Sequence, residues 1–431
     1  MSRFQERLLK VIPGGAHTYS RGFDQFPANA PQILVRGKGA YVFDHDDNRY
    51  LDYGMALRAV NIGYSEDEID AGAIKQIRNG NNLTRPSLIE LEAAELLVEL
   101  IDSVDMVKFT KNGSTSVSAA VKLARAYTRR ELVARCAEHP FFSYDDWFIG
   151  STPLTRGIPQ DTIEKTKQFH YNYIESLEEL IAQFPEQFAC VVLEPAGVEE
   201  PKVGFLQQVQ ELCRKNGIVF ILDEMITGFR WHMKGAQHIY GVTPDLCTFG
   251  KAMANGFSVS CVAGRREIME LGSVELEGRE RVFLLSTTHG AEMSGLGAFV
   301  ATVDFMKRNK VIEHLWNYGG KLVTMMERQA AAHGVSDSFT MGGVACSPYY
   351  LTRDATGENS LALRTLFLQE MVRNGVLMPW IAFSYRHGDE ELAITERAID
   401  QAFTVYRCAL DSGVEKYLEG PVIKPVFRKY N

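Results

Sequence analysis

No stretch of the 431 residues reaches the roughly 18 consecutive apolar residues of a membrane span, which excludes a membrane-embedded helix as the organising element. Positive charge is not in excess either: 46 Lys and Arg face 54 Asp and Glu, for a net charge of −8. The basic footprint that broad nucleic-acid binding requires is therefore missing. No internal repeat and no low-complexity linker interrupts the chain. Seven cysteines (Cys136, Cys190, Cys213, Cys247, Cys261, Cys346, Cys408) are scattered, odd in number and without a C-x-x-C pair. Several lie in apolar runs, so most read as reduced, buried thiols in a reducing compartment, and no metal site is expected. The opening MSRFQERLLKVIPGG is amphipathic and lacks the build of a signal peptide. A soluble, cytoplasmic protein is the expectation.

What is present suits a large globular fold. Apolar residues make up 45% and charged residues 23%, ordinary for such a protein, and the length allows one large and one small domain. Residues 1–64 read as an N-terminal arm and a small β segment, with a hairpin turn at Asp46-Asp47-Asn48-Arg49. Residues 65–310 alternate helix and strand patterns. Leu88 to Ile101 and Ser114 to Arg130 have helical periodicity, and Met106 to Thr110 reads as a strand. Phe188-Ala-Cys-Val-Val-Leu is a continuous apolar run, as in a strand buried on both faces. Gln207 to Asn216 reads as a helix closed by Gly217. Such alternation predicts an α/β domain, a mostly parallel sheet with helices on both faces. Residues 311–431 read as a smaller αβ domain. It comprises a helix from Val311 to His333, strands at Phe339-Thr-Met and Ala345 to Leu351, a helix from Leu361 to Asn374, and a last helix from about Asp389 to Ser412.

The chemistry gathers at strand ends. Ile218-Val-Phe-Ile-Leu-Asp223 closes a buried-looking strand on an aspartate. Twenty-eight residues on, Leu246-Cys-Thr-Phe-Gly250 leads into Lys251, set among small and apolar residues. Desolvation there would lower the lysine's pKa and make its amine a nucleophile. A lysine that forms a Schiff base and a carboxylate that keeps a pyridine nitrogen protonated are what a pyridoxal 5′-phosphate (PLP) enzyme requires. Ligands of open α/β sheets sit outside the carboxyl ends of the strands, where both residues map. Alone, Lys251 would read as a solvated surface charge, and Asp223 as a helix cap or a partner of Arg230. Lys111-Asn112-Gly113-Ser114-Thr115 follows a strand and opens a helix, the layout of a phosphate seat and equally of an ordinary N-cap. Phe141, Phe142, Tyr144 and Trp147 form an aromatic cluster. Core packing explains most such clusters, and a ring stacked on a pyridine is the functional alternative. Ser286 to Gly290 is a polar turn before an apolar helix.

Together these segments resemble the class III PLP-dependent aminotransferases of fold type I over nearly the whole chain. Asp223-Glu-Met-Ile-Thr-Gly-Phe-Arg230 and the glycine-lysine segment ending at Lys251 carry the likeness best. Within the class the chain resembles glutamate-1-semialdehyde aminomutase, through Gly14-Gly-Ala-His-Thr-Tyr-Ser-Arg21-Gly-Phe, and its sugar-acid (8-amino-3,8-dideoxy-octulosonate type) aminotransferase relatives. The resemblance implies that Lys251 forms the Schiff base and shuttles a proton. It implies that Asp223 bonds the pyridine nitrogen, that Gly113 and Ser114 hold the phosphate, and that Phe141 and Met225 take the two ring faces. Thr288 falls where the family uses a threonine from the neighbouring subunit, which implies a homodimer with a shared site. Arg21 matches the arginine that binds the substrate carboxylate. Glu194 and Glu199 fall near the cofactor hydroxyl and the substrate.

Departures shift the expected activity. An aromatic-His-Gly motif of the family reads here Phe141-Phe142-Ser143, Thr115 replaces a glutamate, and Glu199 stands for the aminomutase's asparagine. The long glycine-rich loop of the aminomutase is replaced by Ser151 to Pro159. Losing the loop that would enclose a diamino intermediate favours two-substrate transamination. The expected function moves an amino group from an amino acid, glutamate, to an aldehyde or ketone. One candidate acceptor is 8-oxo-3-deoxy-octulosonate, in the amino-sugar chemistry of lipopolysaccharide. The alternatives are glutamate-1-semialdehyde 2,1-aminomutase and a non-catalytic protein of the same fold. The expected partners are a small-molecule amino donor and carbonyl acceptor, with no nucleic acid and no membrane.

Overall fold

The computed structural model describes residues 3–197 and 199–430. The chain forms two compact units, one from the residues up to Glu66 with Glu313–Arg428, the other from Asp67–Ile312 with the short tail after Arg428.

In the first unit β1 (Leu34–Lys38), β2 (Tyr41–Asp44) and β3 (Arg49–Asp52) form an antiparallel meander. The turn between β2 and β3 is built by Asp44, whose Oδ1 accepts from the N–H groups of Asp46 and Asn48, each at 2.9 Å. An aspartate that bonds its own following backbone holds a turn that Asp47, at φ 63°, could not hold alone.

In the second unit seven strands form one sheet: β4 (Met106–Thr110), β5 (Leu132–Cys136), β6 (Thr166–Phe169), β7 (Phe188–Leu193), β8 (Val219–Asp223), β9 (Leu246–Phe249) and β10 (Ser260–Gly264). Their order is β4-β10-β9-β8-β7-β5-β6. Strands β5 to β9 run parallel, while β10 is antiparallel to both its neighbours. Because β10 reverses twice, β4 points the same way as β9. The carboxyl ends of β4, β7, β8 and β9 therefore share one edge. Every residue of β7, β8 and β9 is buried, as a sheet covered on both faces demands. The helices Gly113–Thr128 and Phe205–Asn216 bury their apolar stripes on this sheet, and the second closes on Gly217 at φ 60°.

The rest of the first unit follows. Strands β11 (Phe339–Gly342) and β12 (Tyr349–Thr352) form a hairpin, and β13 (Val376–Leu377) joins β3 in parallel, completing a sheet begun at the other end of the chain. Strand β12 starts later than the pattern from Ala345 predicts, because Val344 to Ser347 is a turn closed by the Ser347 N–H on the Val344 carbonyl. Phe339 packs within 4.9 Å of Phe367 and 4.8 Å of Phe403, ring centre to ring centre. The buried Tyr53 hydroxyl is held between Tyr318 at 2.6 Å and Thr395 at 2.7 Å.

After β8 the chain turns sharply around the buried Glu224. Its carboxylate accepts from the Thr227 hydroxyl and from the N–H groups of Ala236 (2.9 Å) and Gln237 (2.8 Å). The turn needs a glycine at 228: a Cβ there would stand 2.5 Å from the Phe249 ring and 2.8 Å from the Glu224 carbonyl. Gly228→Ala is expected to cost about 1–3 kcal/mol by overpacking, read as a lower midpoint in urea unfolding. A variant as stable as the parent would show that the close approach is dispensable.

Candidate active site

Asp223 is the last residue of β8, and Lys251 follows β9 after Gly250. Parallel pairing sets Asp223 opposite Thr248, so the two strand ends are level. The Asp223 Oδ1 accepts from the Met225 N–H at 2.9 Å and from the Thr248 hydroxyl at 3.1 Å. These bonds orient a carboxylate that is almost wholly buried. Burial pushes its pKa up to about 6, against the opposing pull of the Met225 N–H, the Lys251 charge and Thr248. Lys251 is half-buried, takes φ 44° and opens a short helical turn whose next three residues, Ala252, Met253 and Ala254, are buried.

Met225 lies at the centre of this edge. A Cβ at Gly113 would come within 2.9 Å of its sulfur, and a Cβ at Gly250 within 2.7 Å. The start of the Gly113–Thr128 helix and the approach to Lys251 thus both press on one side chain, and only glycine permits it. The helix start is capped by Asn112, whose Oδ1 accepts from the Thr115 N–H at 2.9 Å. The buried Ser114 hydroxyl accepts from the Tyr144 N–H at 3.2 Å.

Sequence reasoning did not pick out Ser116 and Ser260. Their hydroxyls stand 2.8 Å apart, Ser116 is 2.7 Å from the Thr110 hydroxyl, and Ser260 donates to the Phe249 carbonyl at 2.6 Å. This chain ties β4, the helix start, β10 and the end of β9 together. The signal for it was a serine or threonine at three separate strand or helix ends, visible only once the strand order is known.

The aromatic segment is fastened to the same helix. The Trp147 indole donates to the Ser118 hydroxyl at 2.8 Å, and the Ser143 and Ser118 hydroxyls are 3.0 Å apart. Phe142 is buried in the core, while Phe141 is exposed and meets Phe148 edge-on at 5.8 Å. After β7 the Glu194 N–H donates to Nδ1 of His139 at 3.0 Å, a buried imidazole whose pKa burial lowers to about 4. Glu194 is itself buried and Glu199 exposed, so the two glutamates have different surroundings. Thr288 is exposed, and its carbonyl accepts from the Asn82 side chain at 3.0 Å. Four residues on, Glu292 pairs with Lys111 at 2.7 Å, linking the Thr288 turn to the Asn112–Ser114 segment. Arg21 belongs to the other unit, where it is exposed in a short turn, Tyr19–Arg21.

These groups fit PLP. A buried carboxylate with a raised proton affinity is matched by a cationic ring nitrogen, a nearby amine can hold an aldehyde, and the N–H groups of a helix start can hold a phosphate.

The family described as Aminotransferase class-III matches residues 24–404 of the chain. The chain is 33% identical over 412 residues to a 3-aminobutyryl-CoA aminotransferase of Cloacimonas acidaminovorans (strain Evry), covering 93% of this chain and 96% of that protein. Among solved structures it is similar to the PLP internal aldimine form of the FumI protein of Sphingopyxis sp. MTA144, with TM-score 0.86, 26% identity and coverage of 95% of this chain and 97% of that one. An omega-transaminase from Sphaerobacter thermophilus gives TM-score 0.83 at 25% identity, covering 94% of this chain and 97% of its own.

The Asp223 shift makes a signed prediction for protein stripped of cofactor. With a folded pKa of about 6 against an ordinary value of 3.8, Asp223 holds its proton longer when folded than when unfolded. Stability is therefore full below about pH 4 and falls as pH rises through about 6. Asp223→Asn removes that loss, so the cofactor-free variant is expected to gain on the order of 1–3 kcal/mol over the parent at pH 7 relative to pH 4. Urea unfolding at the two pH values measures it, and a difference independent of pH would contradict the assignment.

Proposed function

The chain belongs to the class-III aminotransferases, and on that basis we propose that it moves an amino group from glutamate to an aldehyde or ketone acceptor. It is a PLP-dependent transaminase whose seven-stranded, mostly parallel sheet is that of the fold type I transaminases. When bound, PLP supplies a carbonyl that captures the amine and a ring that draws electrons from the bond to be broken. The chain's own groups do the rest in this reading. Asp223 keeps a ring nitrogen protonated, and the Lys251 Nζ removes and returns the proton at the substrate carbon. Gly113 and Ser114 hold the phosphate at the helix start, with Phe141 and Met225 flanking the ring. The observation that carries the proposal is the buried Asp223 carboxylate at a strand end, near enough to Lys251 to sense its charge.

The proposed assembly is a homodimer in which Thr288 serves the neighbouring site. An exposed apolar stripe supports it: Leu88, Leu91 and Val98 share one face of the Leu88–Leu100 helix, and such faces are ordinarily covered. The cytoplasm is the proposed compartment. Seven free cysteines support it, and among the described residues no helix is long and apolar enough to cross a membrane.

Two acceptor classes have support. The Thr155-Arg156-Gly157 segment favours a sugar acid such as 8-oxo-3-deoxy-octulosonate, aminated for lipopolysaccharide. The name of the Cloacimonas relative favours a 3-oxoacyl compound instead. In either case Arg21 would bind the acid or acyl end of the substrate, and Glu199 would stand beside it.

A half-reaction screen tests the function. Glutamate should bleach the yellow PLP-loaded protein, and only a true acceptor should restore the colour. Formation of 5-aminolevulinate from glutamate-1-semialdehyde alone would replace the proposal with an aminomutase. Lys251→Ala is expected to lower turnover at least a thousandfold, since nucleophile and proton carrier are lost together. Full activity in that variant would remove Lys251 from the chemistry.

A further inference from the structure

The helix start assigned to the phosphate has a brace among residues that carry no role so far. Lys111 joins β4 to Asn112 and stands two residues before the Gly113–Thr128 helix. It is held at both ends. Its carbonyl accepts from the Ser258 hydroxyl at 2.5 Å, in the loop that runs from the Lys251 turn to β10. Its ammonium donates to Glu292 Oε2 at 2.7 Å, the two side chains being 25% and 28% exposed.

Glu292 stands where another task is usual. It is the N-cap of the Met293–Arg308 helix, a position from which a carboxylate ordinarily accepts from the helix's own first N–H groups. Its side chain caps none of them. Asn81, distant in sequence, does so instead: its carbonyl accepts from the Met293 N–H at 2.8 Å and its Oδ1 from the Ser294 N–H at 3.0 Å. The Asn81 amide also donates to Glu292 Oε1 at 2.7 Å. With the cap supplied from elsewhere, the Glu292 carboxylate is given over to Lys111. The bonds from Lys111 and Asn81 hold its pKa below the usual carboxylate range, so it is an anion at neutral pH. The Glu292 N–H donates to the His289 carbonyl at 3.2 Å, which closes the turn that carries Thr288.

A phosphate at the helix start would respond differently to each partner alone. Glu292 without Lys111 would repel it, and Lys111 without Glu292 would attract it. Paired, the two contribute little net charge and leave the attraction to the first N–H groups of the helix, which have no intrahelical partners. Those groups act only when the helix start is correctly placed. Met225 limits it on one side, since a Cβ at Gly113 would meet its sulfur at 2.9 Å. The Lys111–Glu292 pair ties it to a second helix.

We propose that Lys111 and Glu292 are positioning residues for the cofactor's phosphate. Their pair holds the helix start in place to receive it, and Lys111 cancels the charge of Glu292, so both set affinity for the phosphate end and not for the ring. The proposal rests on the transaminase reading for the identity of the ligand. All the residues concerned lie in the unit formed by Asp67–Ile312.

The test is calorimetric titration of cofactor-free protein with PLP and with pyridoxal, which has the same ring and aldehyde but no phosphate. Glu292→Ala is expected to weaken PLP about tenfold and to leave pyridoxal within about twofold. Lys111→Met is expected to weaken PLP about thirtyfold, because it also leaves the Glu292 anion uncompensated. Added salt should therefore narrow the Lys111→Met deficit and leave that of Glu292→Ala unchanged. Lys111→Arg, which keeps a cation for Glu292, should stay within about threefold of the parent for PLP. If Glu292→Ala does not fold, Lys111→Met carries the same test. Equal weakening of PLP and pyridoxal, or PLP affinity unchanged in Lys111→Met, would overturn the proposal and leave the transaminase reading standing. A parent protein that binds PLP no more tightly than pyridoxal would remove the phosphate seat and the brace with it. A parent that binds neither compound would overturn the transaminase reading itself.

Discussion

Removing the Asp223 carboxylate from water raises its proton affinity, and the edge of the sheet is arranged around that cost. The carboxylate receives two hydrogen bonds from its own turn and the neighbouring strand, and the charge of Lys251 acts on it in the same direction. None of these fully offsets burial, since the pKa stays raised. What remains is a site that favours a positive charge at the carboxylate. In the proposed reading a protonated pyridine nitrogen meets that demand, so the imbalance that destabilises the cofactor-free protein would contribute to holding the cofactor.

The imbalance is useful only if the neighbouring elements stay level with Asp223. Met225 enforces this from one side. Its sulfur fills the space that side chains at residues 113 and 250 would otherwise take, so the Gly113–Thr128 helix and the Lys251 turn are packed onto the residue two beyond Asp223. The Thr110–Ser116–Ser260 hydroxyl chain enforces it from the other side, bonding β4 and β10 to the helix start. Parallel register supplies the third constraint, because Asp223 and Thr248 are paired residues. A shift in any one of these would be transmitted to the lysine, since close-packed neighbours have no slack to absorb it.

Much of this was legible from the sequence where a local pattern carried the information. The strands ending at Asp223 and Phe249 are short apolar runs closed by a charged residue or a glycine, and the helix after Asn112 is announced by its cap. The serine–threonine chain was not legible, because it depends on β10 lying between β4 and β9, an order no local pattern encodes. The aromatic segment was legible as a cluster but not in detail. The pattern could not assign Phe142 to the core and Phe141 to the surface, since both are equally apolar. The left-handed turn at Met55 to Arg58 left no trace, because positive φ is ordinarily signalled by Gly or Asn and here falls on Met, Ala, Leu and Arg. At its entry the buried Asp52 carboxylate accepts from the Gly54 and Met55 N–H groups, and the Trp380 indole donates to the Gly54 carbonyl.

The groups assigned to cofactor binding and proton transfer, from Gly113 to Thr288, lie within the continuous segment Asp67–Ile312. Arg21 and the left-handed turn lie in the unit assembled from both chain ends, whose sheet is joined by β3 and β13. Similarity in the second unit's chemistry is weak evidence about substrate, because the groups that carry it, Asp223 and Lys251, are assigned to the cofactor and the proton and not to the acceptor.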